Sequence, residues 1–275
     1  MRHAIFVGIF VMWSLGMAAA DEITERKSAA IVLMNAWKNA EALAVFTNLA
    51  AMNLNDDQKS EVLENAAYCA FRLRHADPSM EAQAMELAKK IPIQGQSIKC
   101  RMVLLTENGR NNELVNQFSV ADFASLPEEF AAQAFYMRGK AYALIKKGQE
   151  AEADFKMALD RSPGNEAYLM ARAGNYFNNL KDTQQALDAY SLVIVSAKPP
   201  KRAVDATLEV ARIHISVAKY GEALGALDNF KESKSFSDYQ RIQILRTFGQ
   251  VYAGLGREQE ALASFAEANR IAGQK

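Results

Sequence analysis

Apolar residues recur along the chain at alternating three- and four-residue intervals, the period of a helix with one buried face. The pattern is cleanest near the middle. Phe135, Gly139 and Tyr142 fall at i, i+4 and i+7, so they share one face of a helix predicted over residues 127–146. Ala151, Phe155 and Ala158 repeat that spacing on a second helix. Between them, Lys147-Gly148 supplies a turn in which glycine is expected to take positive φ at little steric cost. A small residue at the crossing lets the two axes approach to about 8–10 Å, with Tyr142 and Phe155 filling the space beside it. Pro163 ends the second helix, because proline disfavours helical geometry in the residue before it. The expected unit is an antiparallel helical hairpin.

The same hairpin is legible elsewhere. Ala30 and Leu33, then Ala42, Phe46 and Leu49, predict one over residues 23–55. A second follows, capped at Asn55-Asp56-Asp57, with Val62, Ala66, Cys69 and Leu73 on its first helix. Asp77-Pro78 opens its partner helix, since proline at the first helical position lacks only an N–H that would be unpaired anyway. Pro92 stops that helix. A shorter hairpin is expected over 94–118 around Asn108-Gly109. Residues 119–126 then read as an irregular connection, with Phe118, Val120, Phe123 and Leu126 buried. Downstream, Met170, Gly174, Phe177, Ala186 and Tyr190 fit the pattern up to Pro199-Pro200. Ala211, Ala223 and Phe230 fit it again, with His214 where an aromatic is usual, and so do Leu245, Gly249, Tyr252, Ala261, Phe265 and Ala268. Glu41-Ala42-Leu43 recurs as Glu222-Ala223-Leu224 and Glu260-Ala261-Leu262, with Gln185-Ala186-Leu187 a near copy. The crossing residues Gly139, Gly174, Ala211 and Gly249 stand 35, 37 and 38 residues apart, which reads as loops that lengthen slightly.

The stretch from Ala132 resembles the tetratricopeptide repeat, a 34-residue helix-turn-helix family with preferred residue sizes at set positions. With Ala132 as the first position, Gly139 is the small eighth residue, Tyr142 the aromatic eleventh and Ala151 the twentieth alanine; Phe155, Ala158 and Pro163 match the next three. Phe135 replaces the usual tryptophan and Arg138 the usual leucine. The resemblance is close over 132–273 and loose over 23–118, about seven hairpins in all. It implies an all-α protein, a right-handed superhelical α-solenoid. Residues 21–126 would be degenerate hairpins and 127–275 an array of about four repeats.

In this family the first helices line a concave face that holds a protein or an extended peptide. Carried over by position, that face would present Gln133, Tyr136, Met137, Lys140 and Leu144, then Tyr168, Arg172, Asn175, Asn178 and Asn179. It would continue through Asp205, Glu209 and Arg212 to Gln243, Arg246 and Gln250. Some relatives grip a C-terminal carboxylate with lysine at position five and asparagine at nine; Tyr136 and Lys140 stand there, so the pattern does not support that clamp. Lys140, Arg172, Asn175, Arg212 and Arg246 would favour a partner with acidic character.

Composition adds a destination and removes some chemistry. Met1 to Ala20 reads as a secretory signal, with Arg2 as its positive end, an apolar run from Ala4 to Gly16 and Ala18-x-Ala20 as a cleavage site. The apolar run is shorter than the ~20 residues a spanning helix needs, so no stable membrane insertion is expected after cleavage. Delivery to the periplasm or beyond the cell follows. Without Arg2 the chain carries 31 basic and 32 acidic residues, which gives no electrostatic drive toward nucleic acid. No His-x-x-x-His, Cys-x-x-Cys or Gly-x-Ser-x-Gly is present, so neither metal nor cofactor nor enzymatic activity is expected. Export would permit a bridge between Cys69 and Cys100, predicted on neighbouring first helices. The usual spacing of packed helices exceeds the ~7 Å Cα separation a disulfide tolerates, so two buried thiols are expected. The alternative to a partner scaffold is a structural subunit that assembles with itself as a homo-oligomer in a cell-envelope complex, since the last hairpin runs to Lys275 without a separate polar cap.

Overall fold

The computed structural model describes residues 21–196, 201–230 and 236–273. The predicted signal over 1–20, Pro199-Pro200 and Lys275 lie outside them. The described residues are helical, with no strand. Fifteen helices follow one another: α1 (21–35), α2 (Asn39–Ala50), α3 (Asp56–Leu73), α4 (Ser79–Lys89), α5 (Gln94–Glu107), α6 (Asn111–Gln117), α7 (Val120–Ala124), α8 (Glu128–Leu144), α9 (Gly148–Arg161), α10 (Glu166–Asn175), α11 (Thr183–Ser196), α12 (Lys201–Ser216), α13 (Tyr220–Leu227), α14 (Asp238–Gly254) and α15 (Glu258–Ala272). The chain divides between Ala134 and Phe135, within α8, into two compact units.

In the first unit the predicted caps form. Asn55 Oδ1 accepts the Gln58 N–H at 2.8 Å while Gln58 Oε1 accepts the Asn55 N–H at 3.2 Å, a reciprocal capping box at the start of α3. Asp77 Oδ1 accepts both the backbone N–H and the hydroxyl of Ser79, so Pro78 enters α4 already in helical geometry. Ala30, Ala42, Phe46, Leu49, Val62, Ala66 and Cys69 pack into one core. Residues 119–126 correct the expectation of an irregular connection. Ser119 and Asp122 form a capping box that starts the short helix α7. Phe118, Phe123 and Leu126 are buried as expected, but Val120 is 52% exposed, on the outer side of that helix. Cys69 and Cys100 are free, buried thiols. Burial pushes the Cys69 thiol up to about 11, and burial with the nearby Glu64 pushes Cys100 up to about 12.

In the second unit α9, α11, α13 and α15 return against α8, α10, α12 and α14. The small eighth residues do what their size suggests: a Cβ on Gly139 would come within 3.0 Å of the Phe155 ring, and one on Gly249 within 2.6 Å of Phe265. The turn is different from the expectation. Lys146, not Gly148, takes the positive φ (65°), and Gly148 opens α9. A Cβ there would meet Leu180 at 2.8 Å, so its lack of a side chain serves packing.

That geometry recurs at every hairpin but α3–α4, whose turn has no residue of positive φ. Trp37, Gly109, Lys146, Lys181, Ala218 and Gly256 all have positive φ, and each lies two residues before the second helix of its pair. In five of them the following N–H donates to the carbonyl five residues back: Lys38 to Leu33, Arg110 to Leu105, Lys147 to Tyr142, Lys219 to His214 and Arg257 to Tyr252. This closes the first helix with a left-handed cap. The donor is basic in each of the five and is followed three residues on by Glu41, Glu113, Glu150, Glu222 or Glu260. Those glutamates sit in the first turn of the second helix, where negative charge complements the helix dipole. The repeated Glu-Ala-Leu is the visible part of this device. The exception is α10. There Asp182 donates to Tyr176, six residues back, because Tyr176–Leu180 form a π turn that holds one extra residue.

Candidate partner-binding site

The extra residue decides which side chains reach the face built by the first helices of the second unit. Before the π turn, α10 follows α8 at an interval of 34, not 35. Phe135 corresponds to the buried Leu169, Gly139 to the fully buried Ala173, Ala141 to Asn175 and Tyr142 to Tyr176. The expected crossing residue, Gly174, is one step off: a Cβ there would find its nearest neighbour, the Tyr190 hydroxyl, only at 3.7 Å. Positions carried over onto α10 are therefore rotated by one residue, about 100° of helix.

This rotation turns several predicted contact residues inward. Asn175 is 2% exposed; its Nδ2 donates to the Gly148 carbonyl at 2.9 Å, and its Oδ1 accepts from Asn179 Nδ2 at 2.9 Å. Asn179 also donates to the Ala143 carbonyl at 3.1 Å. Both amides are committed to the chain's own backbone at the end of the preceding hairpin. Tyr168 is buried, its ring stacked on Tyr136 with centroids 4.5 Å apart. Arg172 points at α9, where Nε donates to both Glu152 oxygens at 2.9 and 3.1 Å, and the Tyr176 hydroxyl donates to the same carboxylate at 2.7 Å. Hydrogen bonding to Glu152 raises the Arg172 guanidinium above its ordinary range; burial first, then Glu152, pushes the Tyr176 phenol up to about 12. Arg212 is held too, paired with Glu209 and donating to Gln243 Oε1 at 3.2 Å.

What stays accessible is Tyr136 in part, and the exposed Lys140, Asn178, Arg246 and Gln250, together with Arg212 in its pair with Glu209. Lys140 lies over the Tyr136 ring at 5.5 Å. Neither Lys140 nor Arg246 makes an ion pair among the described residues. Between α8 and α10 the face opens into a recess of about 290 Å³ lined by Lys140, Ala143, Leu144, Lys146, Phe155, Ala171, Gly174, Asn175, Asn178 and Asn179. The recess exists because the α10 positions that face outward are Ala171 and Gly174, which leave room down to Phe155. Sequence reasoning missed Ala143, Lys146, Phe155, Ala171 and Gly174 as lining residues. The signal that could have found Ala171 and Gly174 was the 34-residue interval of the buried positions, which the glycine-to-glycine count of 35 concealed.

One buried pair belongs to the hairpin and not to the face. Arg138, where the repeat family usually has leucine, is 5% exposed and binds Asp154 in fork-to-fork fashion at 2.8 and 2.7 Å. Burial raises the Asp154 carboxyl, and Arg138 opposes that shift without overcoming it. Among the described residues no group of three or more His, Cys, Asp or Glu side chains could hold a metal, and no helix is long and apolar enough to cross a membrane.

No protein-family model matches the chain, and no curated protein does. Solved structures do match. A tetratricopeptide repeat protein from Parabacteroides merdae gives a TM-score of 0.56 at 15% identity, covering 92% of this chain and 94% of that one. BtubC (BKLC) from P. vanneervenii gives 0.55 at 14% identity, over 80% of this chain and 92% of that one. A human IFIT1 dimer with PPP-AAAA gives 0.55 at 16%; 85% of this chain covers 55% of that one. The chain thus has the tetratricopeptide-repeat type of fold, built from all-α helical hairpins.

Proposed function

We propose that this protein is an exported, non-enzymatic scaffold that captures a protein or an extended peptide on the first-helix face of residues 135–275. The observation that carries this reading is the recess beside the stacked Tyr136–Tyr168 pair, lined by Lys140 and Asn178 on a face where Asn175, Asn179 and Arg172 are bonded within the chain. Amphipathic rings and exposed amides and ammonium groups suit a peptide's mixed chemistry, and they offer no acid, base or nucleophile cluster for catalysis. The signal pattern of Met1 to Ala20 supports delivery across a membrane with a mature start at Asp21.

Affinity purification of the processed protein from the cell envelope and the medium tests both halves. A distinct partner at fixed stoichiometry, on a chain whose N-terminal sequencing begins at Asp21, is the expected result. Recovery of the unprocessed chain alone in the cytoplasm would overturn the export half.

A second reading, a self-assembling structural subunit, draws on apolar side chains left open on the outer helices: Val195 on α11 is 88% exposed and Leu262 on α15 is 70% exposed. The same purification would then return copies of the chain itself.

A further inference from the structure

The recess between α8 and α10 has a chemistry more specific than a generic peptide groove. Its wall is apolar, from Ala143, Leu144 and Phe155, and Leu144 stands 60% exposed at the edge. Its charge is of one sign. Lys140 and Lys146 both line it, neither is ion-paired among the described residues, and no carboxylate lines it with them. Elsewhere on the same face Arg172 is neutralised by Glu152 and Arg212 by Glu209, and the exposed Arg246 does not line the recess. Asn179 Oδ1, also at the recess, has no hydrogen-bond donor among the described residues.

The placement of the two lysines restricts what can satisfy both. Six residues apart on α8 and its cap, their backbones are separated by about 9 Å along the helix axis. A single carboxylate could serve both only if the two flexible side chains converged on it. In an extended segment of three residues per turn rising ~3.1 Å each, carboxylates three residues apart lie on one face at about that spacing and give each ammonium its own partner.

We infer that this recess seats an aliphatic side chain of a partner segment that carries an acidic residue on either side of it, the two carboxylates pairing with Lys140 and Lys146. The segment is internal to the partner chain, since its ends are not needed for either pair. This inference rests on the scaffold reading and narrows it to one partner class.

The test is fluorescence anisotropy of the full mature chain with a labelled peptide, acetylated and amidated, whose core is Glu-Leu-Ser-Glu. Two variants are compared. Lys140→Gln with Lys146→Asn removes both charges and leaves at position 146 a residue that tolerates positive φ. Ala171→Leu fills the recess and leaves the charges in place. Each should weaken binding about tenfold or more, and the double variant should also flatten the dependence of affinity on salt. No binding of the blocked peptide, unchanged affinity in both variants, or binding only when the peptide carries a free C-terminal carboxylate would overturn the inference. A distinct partner that is still captured equally well by both variants in the purification would remove this recess and leave the scaffold reading standing. Loss of any distinct partner from the parent chain would remove the scaffold reading itself.

Discussion

Two consecutive hairpins, α8–α9 and α10–α11, match the same repeat pattern and solve the same packing problem in different ways. In the first, a glycine at the crossing admits the Phe155 ring, and the buried Arg138–Asp154 pair ties the helices together. In the second, the crossing residue is Ala173, the counterpart of Asp154 is the buried Ala189, and the extra residue is absorbed in a π turn. The first hairpin therefore depends on a polar lock, and the second on apolar packing with its polar groups moved to the junction between hairpins. Arg172, the counterpart of Arg138, shows the change: it reaches out of its own hairpin to Glu152 on α9.

Breaking the lock should have the largest effect. Asp154→Ala leaves the Arg138 guanidinium buried and unpaired, and is expected to cost about 3–5 kcal/mol. Replacing both partners, Arg138→Met with Asp154→Leu, should recover most of that, because neither charge then has to be desolvated. Urea unfolding of the single and double variants measures the difference. A single variant as stable as the parent would show that the pair contributes little.

The junction between the two hairpins comes next. Asn175→Ala removes the donor to the Gly148 carbonyl and the acceptor for Asn179, both in buried surroundings, and should destabilise by about 1–3 kcal/mol. Its effect on partner capture at a temperature where the protein stays folded should be small. Were Asn175 a contact residue, the same substitution would reduce capture and leave the unfolding midpoint in place. The comparison thus separates a structural asparagine from a binding one.

How far the sequence carries these distinctions depends on what each interaction leaves in it. Hairpins are legible because burial on a helix imposes a period, and Phe135, Gly139, Phe155 and Gly249 have the sizes that crossings demand. The capping boxes at Asn55 and Ser237 are equally local, written in residues three apart. Register across an insertion is not local. The chain shows Gly139 and Gly174 as the natural pair, and only the burial of Leu169, Ala173 and Asn175 reveals that the extra residue falls after them, within Tyr176–Leu180. Partner choice among charges is not local either, since Arg172 and Glu152 are 20 positions apart on different helices. The predicted face consequently mixed residues that do project with residues one step behind it.

The turns sharpen the comparison with effects of opposite sign, the smallest of them at Lys146. A glycine beside a lysine pair invites the expectation that the glycine takes the left-handed conformation, yet Lys146 does so and Gly148 packs against Leu180 and Asn179. Gly148→Ala should therefore destabilise by about 1–3 kcal/mol through overpacking, although alanine favours helix more than glycine does. Lys146→Gly should stabilise by about 0.5–1 kcal/mol, since relief of left-handed strain of about 1–2 kcal/mol outweighs the extra entropy a glycine loses on folding. Thermal unfolding of the two variants side by side reads both signs. If Gly148→Ala raised the midpoint, Gly148 would have room for a side chain beside Leu180; if Lys146→Gly lowered it, Lys146 would not be the left-handed residue, and the cap shared by the hairpins of this chain would need a different register at α8.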